Sequence, residues 1–167
     1  MRPAYLLRFK VKATEQEKET LHRGCGMKVK IKLIDGGKMP VFKTEGAVCA
    51  DAYARLYEPM VIPKGKRSLV PLGFACELPT GYELQVRPRS GLSLLGVDVT
   101  LGTGDWDYRG EYKACVVNNI DDDFIIHNGD RICQIAIREA QVIEFEQVAE
   151  LTETDRGEGG FGSTGVR

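Results

Sequence analysis

The chain has 167 residues, 43% hydrophobic and 28% charged, with 23 Lys and Arg against 24 Asp and Glu. That length and composition suit a single globular domain and exclude a disordered chain. A net charge of −1 argues against a general electrostatic grip on long nucleic acid, and no apolar run approaches the roughly 18 residues of a membrane helix.

In chain order, residues 1–26 read as an appendage without an apolar signal-peptide core, so secretion is not indicated. Within it, Ala13–Arg23 favours helix by propensity but has a thin apolar face. Met27–Leu33 (MKVKIKL) alternates apolar and charged residues, the period of a half-buried strand. Arg67–Cys76, Tyr82–Val86, Glu111–Asn118, Asp130–Ile137 and Gln141–Val148 read as further strands, rich in Val, Ile and aromatic residues. Turn signals separate them at Pro63–Gly65, Pro79–Gly81 and Asn128–Gly129. Ser90–Gly96 (SGLSLLG) has room for one or two helical turns. Many short strands with little helix predict an all-β sandwich or barrel over residues 27–154. The closing Asp155–Arg167 (DRGEGGFGSTGVR) holds five glycines in thirteen residues, too little apolar surface to offset its ordering entropy. It also carries an aromatic ring, two hydroxyls and an arginine, which suit a flap that orders over an anionic ligand.

The five cysteines (Cys25, Cys49, Cys76, Cys115, Cys133) are odd in number and form no C-x-x-C pair. Small core residues in a reducing, cytoplasmic setting are the natural reading. With His22 and His127 the only histidines, raw material is poor for a protein-built zinc site or a Ser-His-Asp or Cys-His catalytic set.

Four segments carry chemistry. Gly157–Gly162 fits G-x-G-x-x-G, but the chain ends five residues later, and Ser163 stands where a phosphate loop needs lysine. What survives is the close approach of glycine-rich backbone N–H groups to phosphate oxygens. Arg87-Pro88-Arg89-Ser90-Gly91 leads from a strand into a helical stretch. It reads equally as an anion site or as a Ser90 helix cap with solvated arginines. Gly102–Gly110 (GTGDWDYRG) reads as a hairpin turn, or as a pocket lined by backbone and Tyr108 with a carboxylate placed as a base. Gly129–Ile135 (GDRICQI) is a turn and a buried strand in which Gln134 needs a polar partner. Asp121–Asp123 is solvated charge in a loop.

In order, and with Ala47–Ala52 ahead of them, these segments resemble the five motifs of the trimeric dUTP pyrophosphatase (dUTPase) family. They are Ala47–Ala52 (AVCADA), Arg87–Leu92 (RPRSGL), Gly102–Glu111 (GTGDWDYRGE), Gly129–Ile135 (GDRICQI) and Arg156–Gly165 (RGEGGFGSTG). The resemblance runs from Met27 to Gly165. It implies a jelly-roll-like β-barrel, a homotrimer with active sites shared between subunits, and Mg²⁺-dependent hydrolysis of dUTP to dUMP and pyrophosphate. That activity keeps uracil out of DNA and supplies dUMP for thymidylate synthesis. No nucleic acid or membrane partner is implied.

By the same resemblance, Asp105 orients and deprotonates the water that attacks the α-phosphorus, and Tyr108 packs under the deoxyribose. Backbone from Val99 through Thr103, Gly104 and Asp105, with Lys113, forms the uracil slot. Arg89, Ser90, Gly91 and Gln134 bind phosphate. Asp51 is the acid near the metal, reached through water. In the tail, Arg156 meets the outer phosphates, Phe161 stacks on uracil, and Gly162 and Ser163 complete the flap. The chain departs from the family at Gly104, where Ile or Val is usual, and at Trp106, where a small or polar residue is usual. Trp106 is expected to fill the space that Gly104 vacates. Residues 1–26 have no counterpart in the minimal pattern. A dCTP deaminase of the same fold and a regulatory protein-binding module are the alternatives, and D-x-D-Y-R-G argues against the deaminase.

Overall fold

A computed structural model describes residues 27–160. Its elements are β1 (Lys30–Leu33), β2 (Ala50–Tyr53), β3 (Met60–Ile62), β4 (Arg67–Pro71), β5 (Phe74–Glu77) and β6 (Tyr82–Arg87). After them come α1 (Ser90–Leu94), β7 (Val97–Val99), β8 (Gly102–Gly104), β9 (Lys113–Asn118), β10 (Phe124–Ile126) and β11 (Arg131–Glu139). The Ala13–Arg23 helix expected from propensity lies outside the described residues.

All ladders are antiparallel. One sheet runs β2-β11-β6-β8, a second runs β4-β9-β7, and β1-β5 and β10-β3 form two-stranded ribbons. The protein is nearly all β, as expected, although these ladders do not join into a closed barrel.

Period-two patterning explains the packing. Along β9, Ala114, Val116 and Asn118 point inward while Lys113 points out. Ala114 and Val116 share one core cluster with Val70 and Val97 of their own sheet and with Leu84, Val86 and Ile135 of the larger sheet. In β11 the neighbours Ile132 and Cys133 are both buried, because a register shift between Arg131 and Cys133 puts a bulge against β2. Asn118 is fully buried and satisfied. Its amide donates to the Ile62 and Asp122 carbonyls at 2.8 Å each, and its Oδ1 accepts from Ile120 N–H at 3.0 Å. One side chain thereby ties β9 to β3 and to the acidic loop.

All three predicted turns end on a left-handed glycine, Gly65 at φ 69°, Gly81 at φ 82° and Gly129 at φ 85°. Two strand expectations change. Arg67–Cys76 is broken into β4 and β5 around Gly73, and Gln141–Val148 forms no strand. In that last segment Val142 and Phe145 are 77% and 91% exposed, and among the described residues no strand pairs with it. Cys49, Cys76, Cys115 and Cys133 are free thiols, with Cys76 and Cys133 buried.

Candidate functional site

The larger sheet places one group of predicted site residues. In register, Asp51 of β2 faces Gln134 of β11, and Gln134 faces Arg87 of β6, so the three share one face in a row. Asp51 is only 3% exposed. Gln134 Nε2 donates to its Oδ1 at 3.1 Å, Arg131 Nη1 donates to its Oδ2 at 3.0 Å, and Arg89 Nε lies 3.6 Å from Oδ1. Asp51 is therefore the polar partner that Gln134 required. Burial opposes ionisation of this carboxyl, but the hydrogen bonds from Gln134 and Arg131 and the charge of Arg89 outweigh it and hold the pKa below 3.8. Two guanidinium groups around one carboxylate leave a local positive excess, suited to phosphate oxygens.

Arg89 occupies the N-cap position of α1 and makes no side-chain cap hydrogen bond. Ser90 is the first helical residue rather than the cap, and it and Gly91 are exposed. This removes the cap reading of Ser90 and leaves its hydroxyl facing solvent beside the arginine cluster.

A second group lines an open cavity of about 250 Å³ formed by Thr103, Gly104, Asp105, Tyr108, Glu111, Tyr112 and Lys113. The loop that carries Asp105 is not a hairpin turn. β8 pairs with β6 and β9 pairs with β4 and β7, so residues 105–112 cross from one sheet to the other. Glu111 anchors the crossing. Arg55 donates Nε and Nη2 to its two oxygens at 2.9 and 3.0 Å, and Gly73 N–H adds a bond at 3.0 Å. Burial pushes the Glu111 pKa up, but the bonds from Arg55 and Gly73 win and hold it below 4.5. Tyr108 N–H donates to the Asp105 carbonyl at 3.1 Å, and its hydroxyl donates to the Glu111 carbonyl at 3.1 Å. Its ring lies against Gly110, where a Cβ would collide with it. Asp105 and Tyr108 face solvent at the cavity rim.

The space at Gly104 belongs to Tyr112 rather than to Trp106. A Cβ built on Gly104 would fall 2.7 Å from the Tyr112 hydroxyl and 2.9 Å from its Cζ. Trp106 is instead 38% exposed, with its carbonyl accepting from Arg109. The residue matched to Gly104 is thus Tyr112, large where Gly104 is small.

Val99 is not brought to the cavity. Its side chain is 4% exposed in the core of β7, and its N–H donates to Asp98 Oδ1 at 2.9 Å. Arg156 sits in an exposed turn, donating to the Gly159 carbonyl at 2.8 Å. Phe161, Gly162 and Ser163 lie outside the described residues. Among the described residues no hydrogen bond or ion pair links the Asp51 cluster to the Asp105 cavity. Sequence reasoning missed Arg131, Arg55, Glu111 and Tyr112. Arg131 and Glu111 lie inside quoted motifs, but only three-dimensional contact shows what their charges hold.

The fold is an antiparallel β protein that presents arginines clustered around Asp51 and an open cavity bordered by Asp105, Tyr108 and Lys113. The dUTPase family profile matches residues 35–165. The chain belongs to the dUTPase family. It is 48% identical over 143 residues to the deoxyuridine 5'-triphosphate nucleotidohydrolase of Treponema denticola, covering 84% of this chain and 99% of that protein. It is 46% identical over 143 residues to the enzyme of the same name from Chlamydia trachomatis serovar L2, covering 83% and 99%. Among solved structures, the Staphylococcus bacteriophage 80alpha dUTPase with dUPNHPP superposes with a TM-score of 0.73 at 22% identity, covering 83% of this chain and 99% of that one. That likeness establishes the shared fold.

Proposed function

We infer that the chain hydrolyses dUTP to dUMP and pyrophosphate, with Asp105 as the base. The observation that carries this reading is the cavity itself, where the Asp105 carboxylate and the Tyr108 ring stand together on one anchored loop. Water bound to Asp105 attacks the α-phosphorus. A P–O bond to water forms, the bond to the bridging oxygen breaks, pyrophosphate leaves, and Asp105 takes the proton. Tyr108 under the deoxyribose leaves no room for a 2′-hydroxyl. The backbone of Thr103 and Gly104, with Lys113, reads the uracil edge, and a tight slot excludes the thymine methyl. Arg89, Ser90, Gly91 and Gln134 hold phosphate oxygens, and Asp51 keeps Arg89 and Gln134 oriented for that task.

Among the described residues no three His, Cys, Asp or Glu side chains converge, and both Asp51 oxygens are engaged by Arg131 and Gln134. In this reading Mg²⁺ arrives on the triphosphate as part of the substrate, with Asp51 no nearer than through water.

A homotrimer with shared sites is part of the proposal. Two observations support it. Among the described residues no side-chain hydrogen bond or ion pair joins the phosphate cluster to the base-bearing cavity, and Val142, Ile143 and Phe145 are exposed on a segment that pairs with no described strand. The Asp105 cavity of one copy then works with the Arg89–Ser90 turn of another. The tail, with Arg156 on the outer phosphates and Phe161 on uracil, closes over the site and excludes water, with Gly162 and Ser163 approaching the phosphates. Free thiols in β5 and β11 agree with a cytoplasmic setting.

Pyrophosphate release assayed with Mg²⁺ across dUTP, dTTP, dCTP and UTP tests the activity. Turnover of dUTP alone is expected. Conversion of dCTP to dUTP or dUMP would transfer the chain to the deaminase branch. Truncation after Glu153 is expected to leave a folded trimer, by light scattering, with turnover at least about tenfold lower. Full activity in the truncated protein would remove the flap from the mechanism.

A further inference from the structure

Residues 38–43 run beside the phosphate cluster. Val41 bridges Asp51 through two backbone hydrogen bonds, at 3.1 and 2.9 Å, so this segment lies along β2 where the buried carboxylate stands. Tyr53, two residues beyond Asp51, shares its face of the strand and pairs in register with Arg131. The ammonium groups of Lys38 and Lys43 both lie over the Tyr53 ring, 5.7 and 5.9 Å from its centroid. That is close to the limit of about 6 Å at which a ring attracts a cation. Both lysines are exposed, and among the described residues neither forms an ion pair with a carboxylate. Two like charges thus converge on one ring, beside a carboxylate already shared by Arg89 and Arg131. Lys38, Lys43, Arg89 and Arg131 border a face whose acid is Asp51, and with no anion among them they repel one another.

We propose that Lys38 and Lys43 bind the outermost phosphate of the substrate, extending the Arg89–Gln134 cluster along β2 and setting a preference for a triphosphate over a monophosphate, an assignment that rests on dUTP being the substrate. A triphosphate supplies the negative charge this face lacks, whereas a monophosphate brings less charge and a shorter reach. Arginine forks suit the inner phosphates, whose positions the chemistry fixes, and ammonium groups on long stems can follow the terminal one. The Tyr53 ring keeps both ammonium groups on this face before nucleotide arrives. The outermost phosphate is not attacked and departs within pyrophosphate, so contacts to it act mainly on binding.

In the full-length protein, the double substitution Lys38→Gln/Lys43→Gln is expected to raise KM for dUTP about tenfold, the scale of hydrogen bonds to charged groups, with kcat within about threefold. In titration calorimetry the non-hydrolysable analogue dUPNHPP is expected to bind about tenfold more weakly, while dUMP stays within about twofold. The control Lys64→Gln/Lys66→Gln removes the same charge from the exposed turn after β3, where Lys64 pairs only with exposed Asp121, and is expected to leave KM and both affinities at wild-type values. Unchanged dUPNHPP binding in Lys38→Gln/Lys43→Gln, equal losses for dUPNHPP and dUMP, or an equal loss in the control would each overturn the assignment while leaving dUTP hydrolysis intact. A wild-type chain that releases no pyrophosphate would sink the enzymatic reading, and this assignment with it.

Discussion

Replacing Asp105 with asparagine is expected to lower kcat by at least about a hundredfold, the scale set by loss of a general base. The substitution is nearly isosteric and removes only the charge and basicity. Asp105 is exposed at the cavity rim and its side chain makes no hydrogen bond among the described residues, so little of the fold depends on it. The neighbouring turn survives, because Tyr108 N–H bonds to the Asp105 carbonyl rather than to its side chain. Binding of dUPNHPP is therefore expected to persist. Steady-state pyrophosphate release and calorimetric binding, run on the same preparation, separate the two. Turnover near the wild-type rate would refute Asp105 as the base.

The largest expected effect on stability comes from Glu111→Ala. Arg55 and Glu111 are 14% and 16% exposed at the side chain, doubly hydrogen-bonded, and joined by the Gly73 N–H. Removing one member of such a pair leaves a largely buried guanidinium with only the Tyr57 hydroxyl, 3.1 Å from Nη1, and a backbone donor without a partner, at about 3 kcal/mol. For a chain of this size that corresponds to a thermal midpoint lower by roughly 6–12 °C. The effect carries a sign in pH. The Glu111 pKa is held below its ordinary 4.5, so the unfolded chain takes up the proton first as the pH falls. The stabilisation is complete above pH 4.5 and is lost as the pH drops through the lowered folded value. The gap in midpoint between wild type and Glu111→Ala is thus expected to narrow below pH 4.5. A gap independent of pH, or a midpoint unchanged at neutral pH, would show that the pair does not anchor the crossing loop.

These two substitutions lie in one motif and do different work. Asp105 serves the proposed chemistry and Glu111 holds the loop that presents it. The stretch from Gly104 to Tyr112, with two glycines, three acids and three aromatic residues, signals a site but does not assign duties within it. The assignment of Glu111 came from Arg55, 56 residues away, and from a backbone donor at Gly73. The same holds for Asp51. Its place among small apolar residues marks it as unusual, but only pairing of β2 with β11 shows that its oxygens are taken by Arg131 and Gln134.

The sequence alone determined the β-rich class and most strand positions, because alternation of apolar and polar residues is a local property of a half-buried strand. It also determined which segments carry chemistry, since glycine-rich turns, paired arginines and acids are local too. Tertiary structure decided what those segments touch. Gly102–Gly110 became a crossing between sheets instead of a hairpin, Val99 went to the core, and Gln141–Val148 paired with no described strand. Tyr112, not Trp106, took the space at Gly104. Each of these outcomes depends on contacts between residues far apart in the chain, and hydrophobic period records which face of a strand is buried but never against what.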